Sequence, residues 1–322
     1  MRGLLHLASM TAPTDTVATT PAGLRRATLL AIGGVVVCAL IWGTTWYAIT
    51  WQLGTVDPIV SVVWRFGLAA LVLFAGCLIA RQPVRLNKAQ HLAAIGQGAF
   101  VFALSYAFVY QSEERVASAI VAVIFAALAF LNLILFRVVG GQKAAPAAWF
   151  GAGLGVLGVI VLSGSEMIAA DMGRHALIGI GMAVVAVMSS ALGNFFSWRG
   201  QQAGSPVLGS TAWAMAYGTA MLAIYGFATG VEWRIEMTAG YLISLLYLAV
   251  FGSVVAFAVY FWVARTRGYA LASYISALTP PIAMLVSVLF EGARFGWPAL
   301  AGLLLVLSGQ ALLIRAPKVS AA

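Results

Sequence analysis

Ten apolar stretches, each long enough to cross a bilayer, run through this chain, and the second five echo the first five. A membrane core takes about 20 residues of helix. The stretches fall at about residues 28–50, 58–80, 90–110, 116–136, 147–164, 176–198, 207–229, 239–263, 269–290 and 297–315. The echo is clearest between residues 115–162 and 267–313. Arg115-Val116-Ala117-Ser118-Ala119-Ile120 is answered by Arg267-Gly268-Tyr269-Ala270-Leu271-Ala272-Ser273, and Leu135-Phe136-Arg137 by Leu289-Phe290-Glu291. Gly151 and Gly158 are answered by Gly302 and Gly309. An odd number of spans per repeat turns the two halves over relative to each other, the construction of many secondary transporters. The expected fold is an all-α membrane protein, with ten transmembrane helices arranged as two five-helix inverted repeats. The first repeat covers 28–164 and the second 175–315. A disordered cytoplasmic tail, 1–27, with Met10 as an alternative start, and a short cytoplasmic tail, 316–322, flank them.

Charge supports the same reading. Only 8% of the 322 residues are charged while 62% are hydrophobic, against about 25% charged in soluble domains. The net charge of +9 raises the question of a polyanion partner, but its placement answers it. With the N-terminus inside, thirteen cations fall on the cytoplasmic side: Arg2, Arg25, Arg26, Arg81, Arg85, Lys88, Arg137, Lys143, Arg199, Arg265, Arg267, Arg315 and Lys318. Arg115, Arg174, Arg234 and Arg294 fall outside, with Arg65 left in the membrane. Such a bias orients membrane proteins, so both termini are expected in the cytoplasm and nucleic acid is not expected as a partner. Asp57, Glu113, Glu114, Glu166, Asp171, Glu232, Glu236 and Glu291 all read as acids of the outer side, at span ends or in loops. Cys38 and Cys77 lie within spans, where no disulfide framework is expected.

The first hairpin reads Ile41-Trp42-Gly43-Thr44-Thr45-Trp46, then Asp57-Pro58, then Trp64-Arg65-Phe66. The ninth span carries Leu278-Thr279-Pro280 and ends in Leu289-Phe290-Glu291, and the tenth holds Gly302 and Gly309. This order of motifs resembles the EamA-type transporters of the drug/metabolite transporter superfamily, from about residue 28 to 315. The resemblance implies a bacterial inner membrane protein that exports or exchanges small metabolites or drugs. The chain departs from the family pattern in its fourth span, which has Ala126 and Arg137 where a proline and a glutamate often stand.

Arg65 is the ionisable side chain set well inside a span, roughly 12 Å deep at 1.5 Å per residue. A charge there costs at least ~2.5–3.5 kcal/mol, so something should offset it. It either meets an anionic group on a solute or serves a structural role by snorkelling or binding carbonyls, with Asp57 two turns away on its own helix. Trp42, at similar depth, reads as an aromatic wall beside Arg65, and Trp46 as an interface-belt tryptophan. Phe125 and Asn132 share a face of the fourth span with Ser118. Ser276 and Thr279 share the corresponding face of the ninth, and together these faces are candidate walls of a substrate path. Gln97, Asn132 and Asn194 make a second polar level, either an inner gate or a set of interhelical hydrogen bonds. Gly43 and Pro280 are candidate hinges. Gly151, Gly155, Gly158, Gly302 and Gly309 read as packing faces, with a homodimer contact as another use for them.

No span holds a central Asp, Glu or His, so the usual intramembrane carboxylate relay is missing from the sequence. Facilitated diffusion or solute exchange fits best, with proton coupling through Glu291, Glu113 or Glu114 near the outer surface left open. No phosphate-binding loop, metal-ligand pair or catalytic pair stands out, so no catalytic residues, metal or cofactor are expected. The chain reads as a carrier for a small-molecule substrate, not an enzyme, with amino acids or related amphipathic solutes favoured. A non-transporting membrane scaffold or accessory subunit, or a flippase of a lipid-linked precursor, are the alternatives.

Overall fold

The computed structural model describes residues 21–139, 145–169, 173–267 and 269–315, and every regular element among them is a helix. In chain order these are α1 (Pro21–Thr50), α2 (Pro58–Ile79), α3 (Lys88–Glu113), α4 (Ser118–Phe125 continued by Leu128–Val138) and α5 (Pro146–Ala169). Then follow α6 (Arg174–Gln202), α7 (Val207–Thr229), α8 (239–267), α9 (269–291) and α10 (Trp297–Arg315). Seven of them are long and apolar enough to cross a membrane. α5, α9 and α10 carry shorter apolar helices, Pro146–Leu162, Ala277–Glu291 and Trp297–Leu312. α1 begins at Pro21, ahead of the start expected near residue 28; residues 1–20 and the tail 316–322 lie outside the described residues.

Local chemistry sets the helix ends. Asp57 caps α2 by accepting from the Ile59 amide at 2.8 Å, with Pro58 in the first turn. Asn87 and Gln90 form a reciprocal capping box on α3. Gly230 and Gly292 end α7 and α9 at φ of 71° and 69°, where a side chain would be strained. Large apolar side chains such as Leu71, Ile79, Phe227 and Leu289 stand exposed, a surface suited to lipid.

The contacts between the two halves follow one exchange rule. α1 packs on α9, and α4 on α6; α1 on α8, and α3 on α6; α2 on α8, and α3 on α7. α2 also packs on α7, α4 on α9 and α5 on α10. Moving every helix five places along exchanges the first six contacts within their pairs and maps each of the last three onto itself. The third helix of each half also departs from α geometry at corresponding places, with π turns at Gly98–Ser105 in α3 and Tyr247–Val255 in α8.

The glycine faces meet each other. A Cβ built on Gly158 would fall 2.5 Å from the Gly302 carbonyl oxygen, and one on Gly302 would fall 2.7 Å from that of Gly158. A Cβ on Gly309 would likewise strike the backbone of Gly151 and Gly155. These glycines therefore serve α5–α10 packing within one chain.

α4 is broken at Ala126–Ala127 without a proline. Both amides tighten to three-residue bonds, Ala126 to the Val123 carbonyl and Ala127 to that of Ile124. The Ala126 carbonyl accepts from Gln310 Nε2 of α10 at 3.0 Å, a buried contact. A tertiary hydrogen bond thus supports the break at the position that answers Pro280. Gln310→Ala leaves this carbonyl without its donor and is expected to cost about 1–3 kcal/mol. The check is a lower thermal unfolding midpoint of the purified protein, with Gln310→Glu no better than alanine because it too removes the amide donor.

Candidate functional site

Arg65 lies two turns inside α2 and is 1% exposed. Helical side chains lean toward the N-terminus of their helix, so its guanidinium reaches back toward the Asp57 end. The guanidinium carbon lies 4.7 Å from the Tyr106 ring centroid and 5.0 Å from that of Phe66, within cation–π range. Nε donates to the Ser253 hydroxyl and Nη1 to the Tyr110 hydroxyl, each at 3.4 Å. Both are long for hydrogen bonds. The two hydroxyls have firmer bonds of their own: Ser253 donates to the Leu248 carbonyl at 2.9 Å, and Tyr110 to Gln52 Oε1 at 2.9 Å. Among the described residues the ion pairs are Arg115–Glu114 and Arg234–Glu232, so no carboxylate stands at contact distance from Arg65. Asp57 is engaged as a helix cap instead. The site is a desolvated cation held by π faces and hydroxyls, its full charge unmatched at contact range.

The π segment of α8 ties this cation to α1. Ser253 receives Arg65, while the neighbouring Gly252 carbonyl accepts from the Trp42 indole at 3.1 Å. A Cβ on Gly252 would lie 2.8 Å from Thr45 Cγ2 and 3.6 Å from Arg65 Nη2. Trp42 therefore stands one residue along the same turn from Arg65, against Phe257 and Tyr260 at ring separations of 5.3 and 5.6 Å. The rings directly on Arg65 are Phe66 and Tyr106, which sequence reasoning had not assigned there. Tyr106, Tyr110 and Glu113 recur at helical spacing along the end of α3, the signal that could have marked this face.

Two sequence readings are corrected. Trp46 is not a belt tryptophan: its ring packs at 5.0 Å from Phe125, and its indole nitrogen is buried without a hydrogen-bond partner. Glu113 is not a loop acid: it ends α3 at 7% exposure, with both carboxylate oxygens buried and unpartnered. Glu291, at the end of α9, accepts from the Ser118 hydroxyl at 2.7 Å.

The remaining candidates fall in separate places. Asn132 and Asn194 meet, the Asn194 amide donating to Asn132 Oδ1 at 3.4 Å. A related α3–α6 contact joins Ser105 and Ser190 at 2.7 Å. Thr279 is buried and donates to the Ile275 carbonyl on its own helix, one residue before Pro280 and Pro281. Ser276 lies on the same helix, and its side chain is outside the described residues. α1 runs unbroken through Gly43, where the absent side chain admits Ile282 of α9.

The EamA-like transporter family model matches residues 29–164 and 177–315. The uncharacterized inner membrane transporter YedA of Escherichia coli (strain K12) is 26% identical over 291 residues, covering 85% of this chain and 88% of YedA. The uncharacterized transporter YoaV of Bacillus subtilis (strain 168) is 24% identical over 265 residues, covering 82% and 86%. A probable amino-acid metabolite efflux pump of Escherichia coli (strain K12) is 23% identical over 258 residues, covering 77% and 80%. A solved crystal structure shares the fold at a TM-score of 0.66 and 19% identity, over 88% of this chain and 95% of its own.

Proposed function

This chain is a multi-pass membrane protein of the EamA-like transporter family, and from that premise we propose that it exports or exchanges small organic metabolites by alternating access. Solutes bearing a carboxylate, amino acids and related amphipathic metabolites foremost, are its substrates. The observation that carries the substrate class is Arg65, a cation buried among Phe66, Tyr106, Tyr110 and Ser253 with no carboxylate at contact range among the described residues. A solute carboxylate supplies the missing charge, and the surrounding rings suit an amphipathic body. The name of the efflux-pump relative agrees with this class.

We read the architecture as ten transmembrane helices in two inverted five-helix repeats. The exchange rule in the packing, the family match to two stretches and the paired π segments support that reading. The cation bias supports cytoplasmic termini and an inner-membrane orientation. Trp42, Arg65, Phe125 and Thr279 line the path toward one end, and the Asn132–Asn194 pair stands toward the other. Gly43 and Pro280 mark where α1 and α9 move against each other.

Flippase activity is the second reading. The feature that favours it is a cleft of about 250 Å³ between α1 and α8, lined by Tyr47, Trp51, Ile243 and Tyr247 among others. The two readings separate in cells loaded with labelled amino acids. Cells expressing the protein are expected to release the label faster than cells expressing Arg65→Ala at equal membrane abundance. Equal release from both, together with altered leaflet distribution of a labelled lipid, favours the flippase.

A further inference from the structure

A second donor stands unused beside Arg65. Gln52, in the turn after α1, is 1% exposed, and its Nε2 is buried without a hydrogen-bond partner. Neighbouring helices fix its place. Its backbone amide donates to the Ile49 carbonyl at 2.8 Å, and its backbone carbonyl accepts from the Ser61 hydroxyl of α2 at 3.4 Å. Ser61 in turn shares a hydrogen bond of 3.1 Å with the Tyr241 hydroxyl of α8. Tyr110 of α3 then sets which way the side chain faces. Its oxygen receives Arg65 Nη1 at 3.4 Å, so its proton turns to Gln52, which presents Oε1 at 2.9 Å. The Nε2 hydrogens are thereby turned away from Tyr110 with no acceptor to meet them. A buried donor left in this way carries the cost of its lost water without a return.

One hydroxyl therefore separates a cation from an amide with a donor to spare. A carboxylate has two oxygens and can take one donor from each, whereas a neutral carboxamide offers one acceptor and turns an N–H toward the other donor. We propose that Gln52 is a second carboxylate-binding residue, donating from Nε2 to one oxygen of the solute while Arg65 meets the other, and that it sets a preference for acids over their amides. Tyr110 is the positioning residue that orients both. The inference rests on the carboxylate reading of Arg65. It also gives a chemical reason for glutamine at this position. Glutamate would keep an acceptor for Tyr110, but it would place an anion one hydroxyl from Arg65 and supply from within the charge that the solute brings. Glutamine keeps the acceptor, adds a donor and leaves the cation free.

The test is competition for uptake by the purified full chain in liposomes. A labelled mixture of the standard amino acids is competed by the same amino acids, unlabelled, either as free acids or as their α-carboxamides. The wild type is expected to yield to the acids at far lower concentration than to the amides. Gln52→Ala is expected to weaken competition by the acids roughly 10- to 100-fold, the worth of one hydrogen bond to a charged group, and to change competition by the amides little. Gln52→Glu is expected to erase or invert the order, because the new anion repels an acid and accepts from an amide. It also keeps the acceptor for Tyr110, so it decides the matter if the alanine variant fails to fold. Where a folded variant carries no solute, the rise in its thermal unfolding midpoint with acids against amides gives the same ranking. A wild-type ratio of acid to amide in both variants overturns the role of Gln52. If Arg65→Ala still loses competition by the acids, the carboxylate reading of Arg65 survives that result. A wild-type protein that ranks acids and amides alike, or binds neither, removes the reading of Arg65 and this inference with it.

Discussion

Arg65→Ala is expected to abolish amino-acid exchange while leaving a folded, membrane-inserted protein. Truncating one member of a buried, hydrogen-bonded charge pair costs about 2–5 kcal/mol of binding, which is roughly 30- to several-thousand-fold in affinity. The folded state loses much less. Tyr110 keeps its bond to Gln52, and Ser253 keeps its bond to Leu248. The substitution therefore leaves no hydroxyl stranded and also removes a charge that the membrane disfavours. Arg65→Lys is expected to recover only part of the loss, because an ammonium cannot spread between the two rings and bind a carboxylate through a planar fork. The measurement is exchange velocity against solute concentration, beside the thermal midpoint of each variant. A variant that unfolds, with no change in apparent affinity in the fraction that survives, assigns Arg65 to structure alone.

Gly43→Val is expected to be the most damaging change on α1. A Cβ at this position would stand 2.7 Å from Ile282 Cβ and 3.5 Å from the Thr279 carbonyl oxygen. Forcing a side chain into such a contact costs about 1–3 kcal/mol and parts α1 from α9 at the level of Pro280. The obstacle is a side chain, and alanine would keep its Cβ, so Ile282→Gly in the same protein should restore part of the lost stability, a coupling that a double-mutant cycle measures. Gly98 gives the contrasting case. A Cβ there would lie 2.5 Å from the Ala214 carbonyl oxygen and 3.0 Å from the Gly218 amide. Those are backbone atoms, so no side-chain truncation can relieve Gly98→Val. If the Gly43→Val, Ile282→Gly pair folds normally yet does not transport, Gly43 acts as a hinge as well as a close approach.

The sequence made some of this legible and hid the rest for physical reasons. Helix limits at Pro58 and Thr229 could be read because proline, glycine and the change from apolar to polar residues act locally. Arg65 could be found because an ionisable group within an apolar span stands out whatever surrounds it. Its partners could not, since Tyr110 and Ser253 lie 45 and 188 positions away and carry no mark as ring or hydroxyl neighbours. Trp46 was misplaced because depth along a helix does not say which way an indole faces. Glu113 looked like a loop acid because it ends its span, and only the packing of other helices on that end of α3, α4 and α6 among them, buries it. The break in α4 was hidden most deeply. Ala126 has no helix-breaking chemistry of its own, and the Gln310 amide that meets it comes from the far end of the chain.

The central claim is that this family member carries small organic solutes across the membrane itself. Counterflow by the purified protein in liposomes tests it most directly, with unlabelled amino acids inside and a labelled panel of amino acids and small metabolites outside. The account predicts transient, saturable accumulation of label that requires solute on the opposite side and is absent from protein-free liposomes. Verified folded protein that accumulates no label from any member of the panel would contradict it, leaving the scaffold and lipid-transport readings.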